Sequence, residues 1–117
     1  FVEGTGGVLA RISNWVLPQL AEELGAKVTI VTATAPGTLN HVELTVEACR
    51  ARGLEITGII GGSISAQPDA VAECVVEQVP IITGLPVLAW LPEGAADLDR
   101  EEFLGRVVGW FSGTTLE

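Results

Sequence analysis

Short runs rich in β-branched residues alternate with amphipathic helical stretches, and this alternation limits the fold more than any other feature of the chain. Strands are predicted at residues 27–33, 56–60 and 86–91, with helices between them at residues 38–52 and 68–79. Strands that alternate with helices through short loops predict a mostly parallel sheet flanked by two helical layers. The chain has 117 residues, so we expect one α/β domain of the Rossmann-like three-layer type.

Less regular elements are predicted toward the two ends. Phe1 and Val2 should end a buried strand, residues 8–15 should be irregular, and a short helix should begin near Pro18 and stop at Gly25. A last helix should begin with a capping box at residues 99–102. The side chains expected to face inward are Leu20, Ala21, Leu24, Leu39, Val42, Val46, Cys49, Val71, Cys74, Val75, Gln78, Phe103, Val107 and Trp110.

The composition argues against several classes of function. A net charge of −9 repels nucleic-acid phosphates, so we expect no nucleic-acid partner. No apolar run approaches the roughly 18 residues that a membrane span needs, so we expect no membrane partner. The single histidine, His41, has no second His or Cys at metal-ligand spacing. Cys49 and Cys74 are expected to be buried free thiols, with a disulfide or a catalytic thiol as the alternative.

The sequence does not begin with methionine and contains none. We therefore expect residues 1–115 to be the carboxy-terminal half of a larger domain. Residues 116–117 resemble a cloning remnant ahead of a purification tag and are left out of the fold prediction.

The segments that follow the predicted strands are the candidate ligand sites, because parallel α/β sheets bind ligands beyond the carboxyl ends of their strands. In the first segment, Glu3 could ligate Mg²⁺, which takes one or two carboxylates together with phosphate oxygens. Gly4, Gly6 and Gly7 would let phosphates approach the backbone. The alternative is a turn with an incidental carboxylate, since short glycine loops are common.

Three further segments have the same position relative to a strand. Residues 36–40 open a helix whose free amides could bind a carboxylate or phosphate, or Asn40 could simply cap that helix with support from Glu43. Residues 61–63 leave room for a planar ring against the backbone, or they form an ordinary tight exit from the strand. Residues 92–94 form a ligand-facing loop or only a turn.

The chain lacks two common kinds of catalytic motif. One histidine cannot support a Ser-His-Asp or Cys-His arrangement with confidence, and no Gly-x-x-x-x-Gly-Lys phosphate loop is present. We therefore expect no catalytic residue within this chain, and we expect the chain alone to be inactive.

Together these motifs resemble the carboxy-terminal half of the dethiobiotin synthetase family. The resemblance is carried by Val2-Glu3-Gly4-Thr5-Gly6-Gly7, Gly37-Thr38-Leu39-Asn40-His41, the strand end at Gly62-Ser63, and Leu91-Pro92-Glu93. It implies a longer P-loop NTPase-like fold and a cytoplasmic homodimer of biotin biosynthesis. The phosphate loop, the catalytic lysine and a second acidic Mg²⁺ ligand would lie upstream.

The resemblance also implies a reaction and its site residues. Diaminopelargonate and CO₂ would form a carbamate, ATP would phosphorylate it, and the second amine would close the cyclic urea with loss of phosphate. Glu3 would be the Mg²⁺ ligand. The residues implied to bind the nucleotide are Glu3, Gly4, Thr5, Gly6, Gly62, Ser63, Pro92, Glu93 and Gly94. Those implied to bind the diamine substrate are Thr5, Gly6 and, from the neighbouring subunit, Gly37, Thr38, Leu39 and Asn40.

One residue departs from the family pattern. Many members place an Asn at the position of Gly62 to read adenine, which a glycine cannot do, so we expect a looser choice of nucleotide base. Two other readings stay open. Related amide synthases and partition-type ATPases share the strand-tip acid, and a flavodoxin-like module would have no enzymatic activity.

Overall fold

The computed structural model of the chain describes residues 1–111. Its elements are, in order, β1 (Arg11–Ile12), β2 (Trp15–Val16), α1 (Leu17–Leu24), β3 (Val28–Thr32), α2 (Thr38–Ala51), β4 (Ile56–Ile64), α3 (Ala70–Thr83), β5 (Val87–Pro92), a short 3-10 turn (Ala95–Asp97) and α4 (Arg100–Trp110). No helix in this range is long and apolar enough to cross a bilayer. The interpretation of residues 116–117 as a tag remnant lies outside the described residues.

A parallel sheet with the strand order β3-β4-β5 forms the centre of the fold. The central strand, β4, pairs with β3 as far as Gly61 opposite Thr32, and with β5 as far as Ile64 opposite Pro92. Helices α2 and α3 are the crossovers, because parallel neighbours cannot be joined by a tight hairpin. The α/β class predicted from the sequence, a parallel sheet flanked by helices, is confirmed.

One apolar cluster joins the sheet to α2 and α3. Its buried members are Ile30, Val42, Val46, Ile59, Val75 and Val79. Ile59 and Val79 are 0% exposed, and burying a Val or Ile side chain contributes roughly 1.5–3 kcal/mol. This layer therefore fixes how the two crossover helices lie on the sheet. The predicted inward face of α2 is confirmed at Val42, Val46 and Cys49.

Capping residues mark the ends of several helices. Asp69 and Asp99 each accept a hydrogen bond from a first-turn N–H, at 2.8 Å in α3 and 2.9 Å in α4. The predicted helix start at Asp99 is therefore confirmed, although in the described residues only the Asp99 half of the predicted capping box is formed. Gly25 ends α1 with φ of 57°, a left-handed conformation that glycine adopts without a steric penalty.

A hydrogen bond between a side chain and the backbone ties the last turns of α2 and α3 together. Nη2 of Arg50 donates to the carbonyl oxygen of Thr83 at 2.7 Å. Thr83 is 3% exposed, and its hydroxyl donates to the carbonyl of Val79 at 2.7 Å. A hydrogen bond from a charged donor contributes about 1.5–3 kcal/mol, so the two helices keep a fixed relation at their carboxyl ends.

The predictions for the start of the chain are wrong in three respects. Phe1 and Val2 belong to no strand and are fully or largely exposed, because two residues ahead of the glycine loop form no ladder with β3, β4 or β5. The stretch predicted to be irregular contains the β1-β2 hairpin, in which Arg11 pairs with Val16. Leu24 is 61% exposed instead of facing inward.

The inward face of α3 also differs from the prediction. Its buried residues are Ala72, Val75, Val79 and Thr83, while Val71 and Cys74 are exposed and Gln78 is half-buried. Apolar side chains occur on both sides of this helix, so a period of 3.6 residues does not identify one face. The helix also continues through Pro80 to Thr83, beyond its predicted end.

Helix α4 contacts β5 but buries none of its side chains. Phe103 is 36% exposed, which contradicts its predicted inward position. Val107 and Trp110 are half-buried, and the ring of Trp110 packs edge-on against Phe103 with centroids 5.5 Å apart. The helix lies beside β5, the last strand of the described sheet, and this position explains its shallow packing.

The two cysteines should differ sharply in reactivity. Cys49 is buried, and this burial raises the pKa of its thiol, with the charge of Arg52 opposing the shift. Cys74 is exposed, so the expectation of burial is confirmed for Cys49 and wrong for Cys74.

We expect a maleimide at about pH 7 to modify Cys74 and spare Cys49, since the thiolate is the reactive form. Mass spectrometry checks the site, with urea-unfolded protein as the control in which both react. Equal labelling of both thiols in the folded protein would contradict the assignment.

Candidate ligand site at the carboxyl edge of the sheet

The three parallel strands end at one edge of the sheet, and three of the four predicted ligand segments belong to that edge. β3 ends at Thr32, β4 at Ile64 and β5 at Pro92. Residues 37–40, 62–63 and 92–94 form or follow these strand ends. This is where parallel α/β sheets bind ligands, because the loops that diverge from the strand ends leave a crevice there.

The end of β4 and the turn after β5 lie side by side. Gly62 pairs with Leu91 and Ile64 pairs with Pro92. The N–H of Glu93 donates to the carbonyl oxygen of Ile64 at 2.8 Å. Residues from two separate sequence motifs therefore form one continuous surface, and it is held together by backbone contacts.

Thr34 connects this surface to the loop that leads into α2. Its hydroxyl donates to the carbonyl oxygen of Ser63 at 3.3 Å. Nothing in the sequence around Thr34 distinguishes it from the other threonines near strand ends. The bond brings the segment before α2 into contact with the end of β4.

Helix α2 begins on a glycine and has no side-chain cap. Gly37 is the N-cap residue, with φ of 88°, and no side chain in residues 1–111 accepts a hydrogen bond from the first turn. Asn40 lies inside that turn and is exposed, so the alternative that Asn40 caps the helix is wrong. The first amides of a helix have no acceptor within the helix, and they carry the positive end of its dipole. The N–H of Thr38 already donates to the carbonyl oxygen of Ala35 at 3.2 Å, so the amides of Leu39 and Asn40 are the ones that can bind an anion.

The four predicted residues at this helix start are not equivalent. Thr38 is 4% exposed, and Leu39 is half-buried against the apolar cluster of the core. Gly37 has no side chain. Of the four, only Asn40 presents a side chain to solvent, so any contribution from the other three to a ligand comes from their backbone.

Glu3 lies in an exposed segment without regular structure. Residues 1–7 are all exposed, and within residues 1–111 no hydrogen bond or ion pair involves Glu3. Gly4 rests against the side chain of Leu17 at the start of α1. Gly6 and Gly7 have φ of 88° and 100°. No hydrogen bond in the described range joins this loop to the other three segments, so the structure brings together three of the four.

The distribution of the acidic side chains limits how this chain could hold a metal ion. Within residues 1–111, no group of three or more His, Cys, Asp or Glu side chains could hold a metal ion. An all-protein cage is therefore absent from that range. Mg²⁺ usually keeps several waters and takes one or two carboxylates together with substrate phosphates. A single exposed carboxylate followed by glycines, as at Glu3, fits that second mode of binding.

A second concave surface lies at the opposite, amino-terminal edge of the sheet. The cleft has a volume of about 380 Å³ and is lined by residues that include Glu22, Lys27, Arg52 and Glu55. Lys27 pairs with Glu55 at 3.0 Å, and Arg52 pairs with Glu22 at 3.5 Å. Its charges are compensated in pairs, and none of the predicted site residues lines it.

Comparison with known proteins decides the family. A protein-family model described as an AAA domain matches residues 1–101. The chain belongs to this AAA domain family. The family is P-loop NTPase-like, so the fold class implied by the sequence motifs is confirmed.

Curated relatives of the chain are named ATP-dependent dethiobiotin synthetase. The ATP-dependent dethiobiotin synthetase BioD of Corynebacterium kroppenstedtii is 46% identical over 94% of the chain and 48% of its own length. The proteins of the same name from Saccharopolyspora erythraea and Rhodococcus jostii are 45% and 36% identical, over 81% and 99% of the chain. They are matched over 43% and 51% of their own lengths. The chain thus spans about half the length of the curated relatives it matches, and the resemblance to dethiobiotin synthetases is confirmed.

Proposed function

We propose that this chain is the carboxy-terminal half of an ATP- and Mg²⁺-dependent dethiobiotin synthetase, a ligase of biotin biosynthesis that closes a cyclic urea. The observation that carries the proposal is the similarity to relatives named ATP-dependent dethiobiotin synthetase, one of which is 46% identical over 94% of the chain. The arrangement of strand ends supports it, since three motifs that are separate in the sequence meet at one edge. The chain alone would be inactive, because the phosphate loop and the catalytic lysine belong to the other half.

The reaction joins CO₂ to a diamine in three steps. One amine of diaminopelargonate attacks CO₂ and forms a carbamate. The γ-phosphoryl group of ATP passes to a carbamate oxygen, which makes the carbonyl carbon electrophilic. The second amine then attacks that carbon, closes the five-membered ring and releases phosphate. Positioning and charge stabilisation supply most of the catalysis in phosphoryl transfer.

Glu3 would hold the Mg²⁺ ion in this scheme. The carboxylate is exposed and makes no ion pair within residues 1–111, so it is available without first breaking a contact. Bound Mg²⁺ would neutralise charge on the phosphate oxygens. Gly4, Thr5 and Gly6 follow in an exposed loop whose backbone can approach phosphates and the diamine.

The start of α2 would receive the carboxylate of diaminopelargonate from the neighbouring subunit of a homodimer. Two features support this assignment: the uncapped first turn and the exposed side chain of Asn40. The backbone amides of Leu39 and Asn40 would carry most of the charge compensation. Asn40 would add a hydrogen bond that fixes the orientation of the carboxylate.

The nucleotide base would lie against Gly62, Ser63 and residues 92–94. This surface consists largely of backbone, and the N–H of Glu93 is already bonded to Ile64. Gly62 offers no carboxamide to read the adenine edge. We therefore propose that the base is held mainly by shape and stacking, with a broad choice of triphosphates.

The alternatives differ in a single measurable property. Amide synthases and partition-type ATPases of the same fold class would release phosphate without the diamine or with another substrate, and a flavodoxin-like module would release none. Phosphate release that depends on diaminopelargonate favours the synthetase. The enzyme would act in the cytoplasm without nucleic-acid or membrane partners.

Replacing Glu3 tests the metal assignment. In the full-length enzyme we expect Glu3→Gln to lower Mg²⁺-dependent turnover at least about tenfold, the usual effect of disturbing a metal site. Steady-state phosphate release at several Mg²⁺ concentrations is the measurement. Glu101→Gln, at an exposed acid of α4, is the matched control and should leave turnover unchanged. If Glu3→Gln lowers turnover by less than about tenfold, the result argues against Glu3 as a Mg²⁺ ligand.

Replacing Asn40 tests the carboxylate assignment. We expect Asn40→Ala to raise the KM for diaminopelargonate about tenfold, since a hydrogen bond to a charged group contributes 1.5–3 kcal/mol. The KM for the nucleotide should stay constant. Glu47→Ala, further along the exposed side of α2, is the control. Equal increases in both KM values would count against a role at the carboxylate.

The choice of base tests the role of Gly62. We expect kcat/KM for ATP, CTP, GTP and UTP to agree within about tenfold. A site that reads a base by hydrogen bonds would instead discriminate against the wrong base by about 10⁴-fold or more. Initial-rate measurements with each triphosphate at constant Mg²⁺ and diamine provide the comparison. A strong preference for ATP would refute the proposal.

A further inference from the structure

Trp90 and Leu91 of β5 fill the space beside the two glycines of β4. Gly61 pairs with Trp90 and Gly62 with Leu91. The six-membered ring of Trp90 occupies the place where a Cβ on Gly61 would stand. A Cβ on Gly62 would lie 3.2 Å from the Cβ of Leu91, which is a tight contact. The ring of Trp90 therefore requires a glycine at position 61, whereas a Cβ at position 62 would need only a small shift of Leu91.

Trp90 also links the end of β4 to the core. The side chain is half-buried and packs against the cluster that contains Ile59 and Val79. Gly61 is buried beneath it. A glycine pair in a strand is flexible unless neighbours restrict it, since it loses more conformational entropy on ordering than other residues do. The indole ring supplies that restriction next to the surface formed by residues 62–63 and 92–94.

We infer that Trp90 is a positioning residue for the nucleotide base, acting through the backbone of Gly61 and Gly62. The inference rests on the proposed function, because it needs a base at this surface. Trp90 restricts the backbone of Gly61, so that Gly62 and Ser63 face the base in a fixed conformation. In a site that lacks a base-reading side chain at Gly62, the order of the backbone determines affinity for the base.

A purely structural role for Trp90 would have a different kinetic result. Loss of core packing reduces the fraction of folded enzyme, which lowers the apparent kcat and leaves KM unchanged. Loss of positioning raises the KM for the nucleotide and spares the KM for the diamine. The comparison of the two KM values therefore separates the two roles.

The experiment uses the full-length enzyme with Trp90→Leu and Trp90→Phe. We expect Trp90→Leu to raise both the KM and the dissociation constant for the triphosphate about tenfold, a typical coupling between residues in contact. The KM for diaminopelargonate should change less than about threefold, and Trp90→Phe should be intermediate. Trp110→Leu is the matched control, since Trp110 is also half-buried but packs on Phe103. It should leave the triphosphate constants unchanged.

A second pair of variants tests the contact itself. Gly61→Ala places a methyl group where the ring of Trp90 lies, so we expect it to weaken triphosphate binding in the wild-type background. The same change should have a smaller effect in Trp90→Leu, where the space is open. Non-additivity of the two changes supports the contact, and full additivity contradicts it.

The outcomes separate this inference from the proposed function. The inference is overturned if Trp90→Leu leaves the triphosphate dissociation constant unchanged, or if the KM values for triphosphate and diamine rise equally. If Trp90→Leu does not fold, Trp90→Phe decides by the same criteria. Calorimetric titration of the triphosphate does not require the diamine reaction. An enzyme that binds triphosphate but fails to use diaminopelargonate would defeat the proposed function and still test Trp90.

Discussion

The fold depends on one layer of apolar contacts, where α2 and α3 pack on β3 and β4 through Ile59, Val46 and Val79. These side chains are at most 2% exposed, and they fix the direction in which each crossover helix returns the chain. Because each crossover helix returns the chain to the edge of the sheet at which the previous strand began, all three strands run parallel and end at the opposite edge. The position of every candidate ligand segment after β3 follows from that packing.

At this edge the surface is formed mostly by backbone groups. Gly62 has no side chain, the N–H of Glu93 and the hydroxyl of Thr34 donate to carbonyl oxygens at the end of β4, and the first turn of α2 presents amides. A surface of this kind recognises shape and negative charge more than it reads individual base edges. The broad nucleotide choice proposed above and the role inferred for Trp90 both arise from this property.

The sequence was sufficient where a single physical preference dominated. β-branched runs predicted β3 to β5, and the regular stripe at Val42 and Val46 predicted the inward face of α2. It was insufficient where two preferences competed or where a partner was distant in the chain. Because apolar residues occur on both sides of α3, the sequence pattern did not identify its buried face. Phe1 and Val2 had no neighbouring strand to pair with.

The candidate site divides in the same way. The strand-end glycines and the start of α2 could be found from turn chemistry and helix-capping rules, while Thr34 and Trp90 became visible only through contacts across the sheet. The glycine cap of α2 has one more consequence. Gly37 supplies no side-chain acceptor to this first turn, in which the N–H of Thr38 donates to the carbonyl oxygen of Ala35, so an arriving anion would complete the cap at Leu39 and Asn40. Occupancy and the fraying equilibrium of that helix would then be thermodynamically linked, and the local stability of α2 would report whether the site is filled.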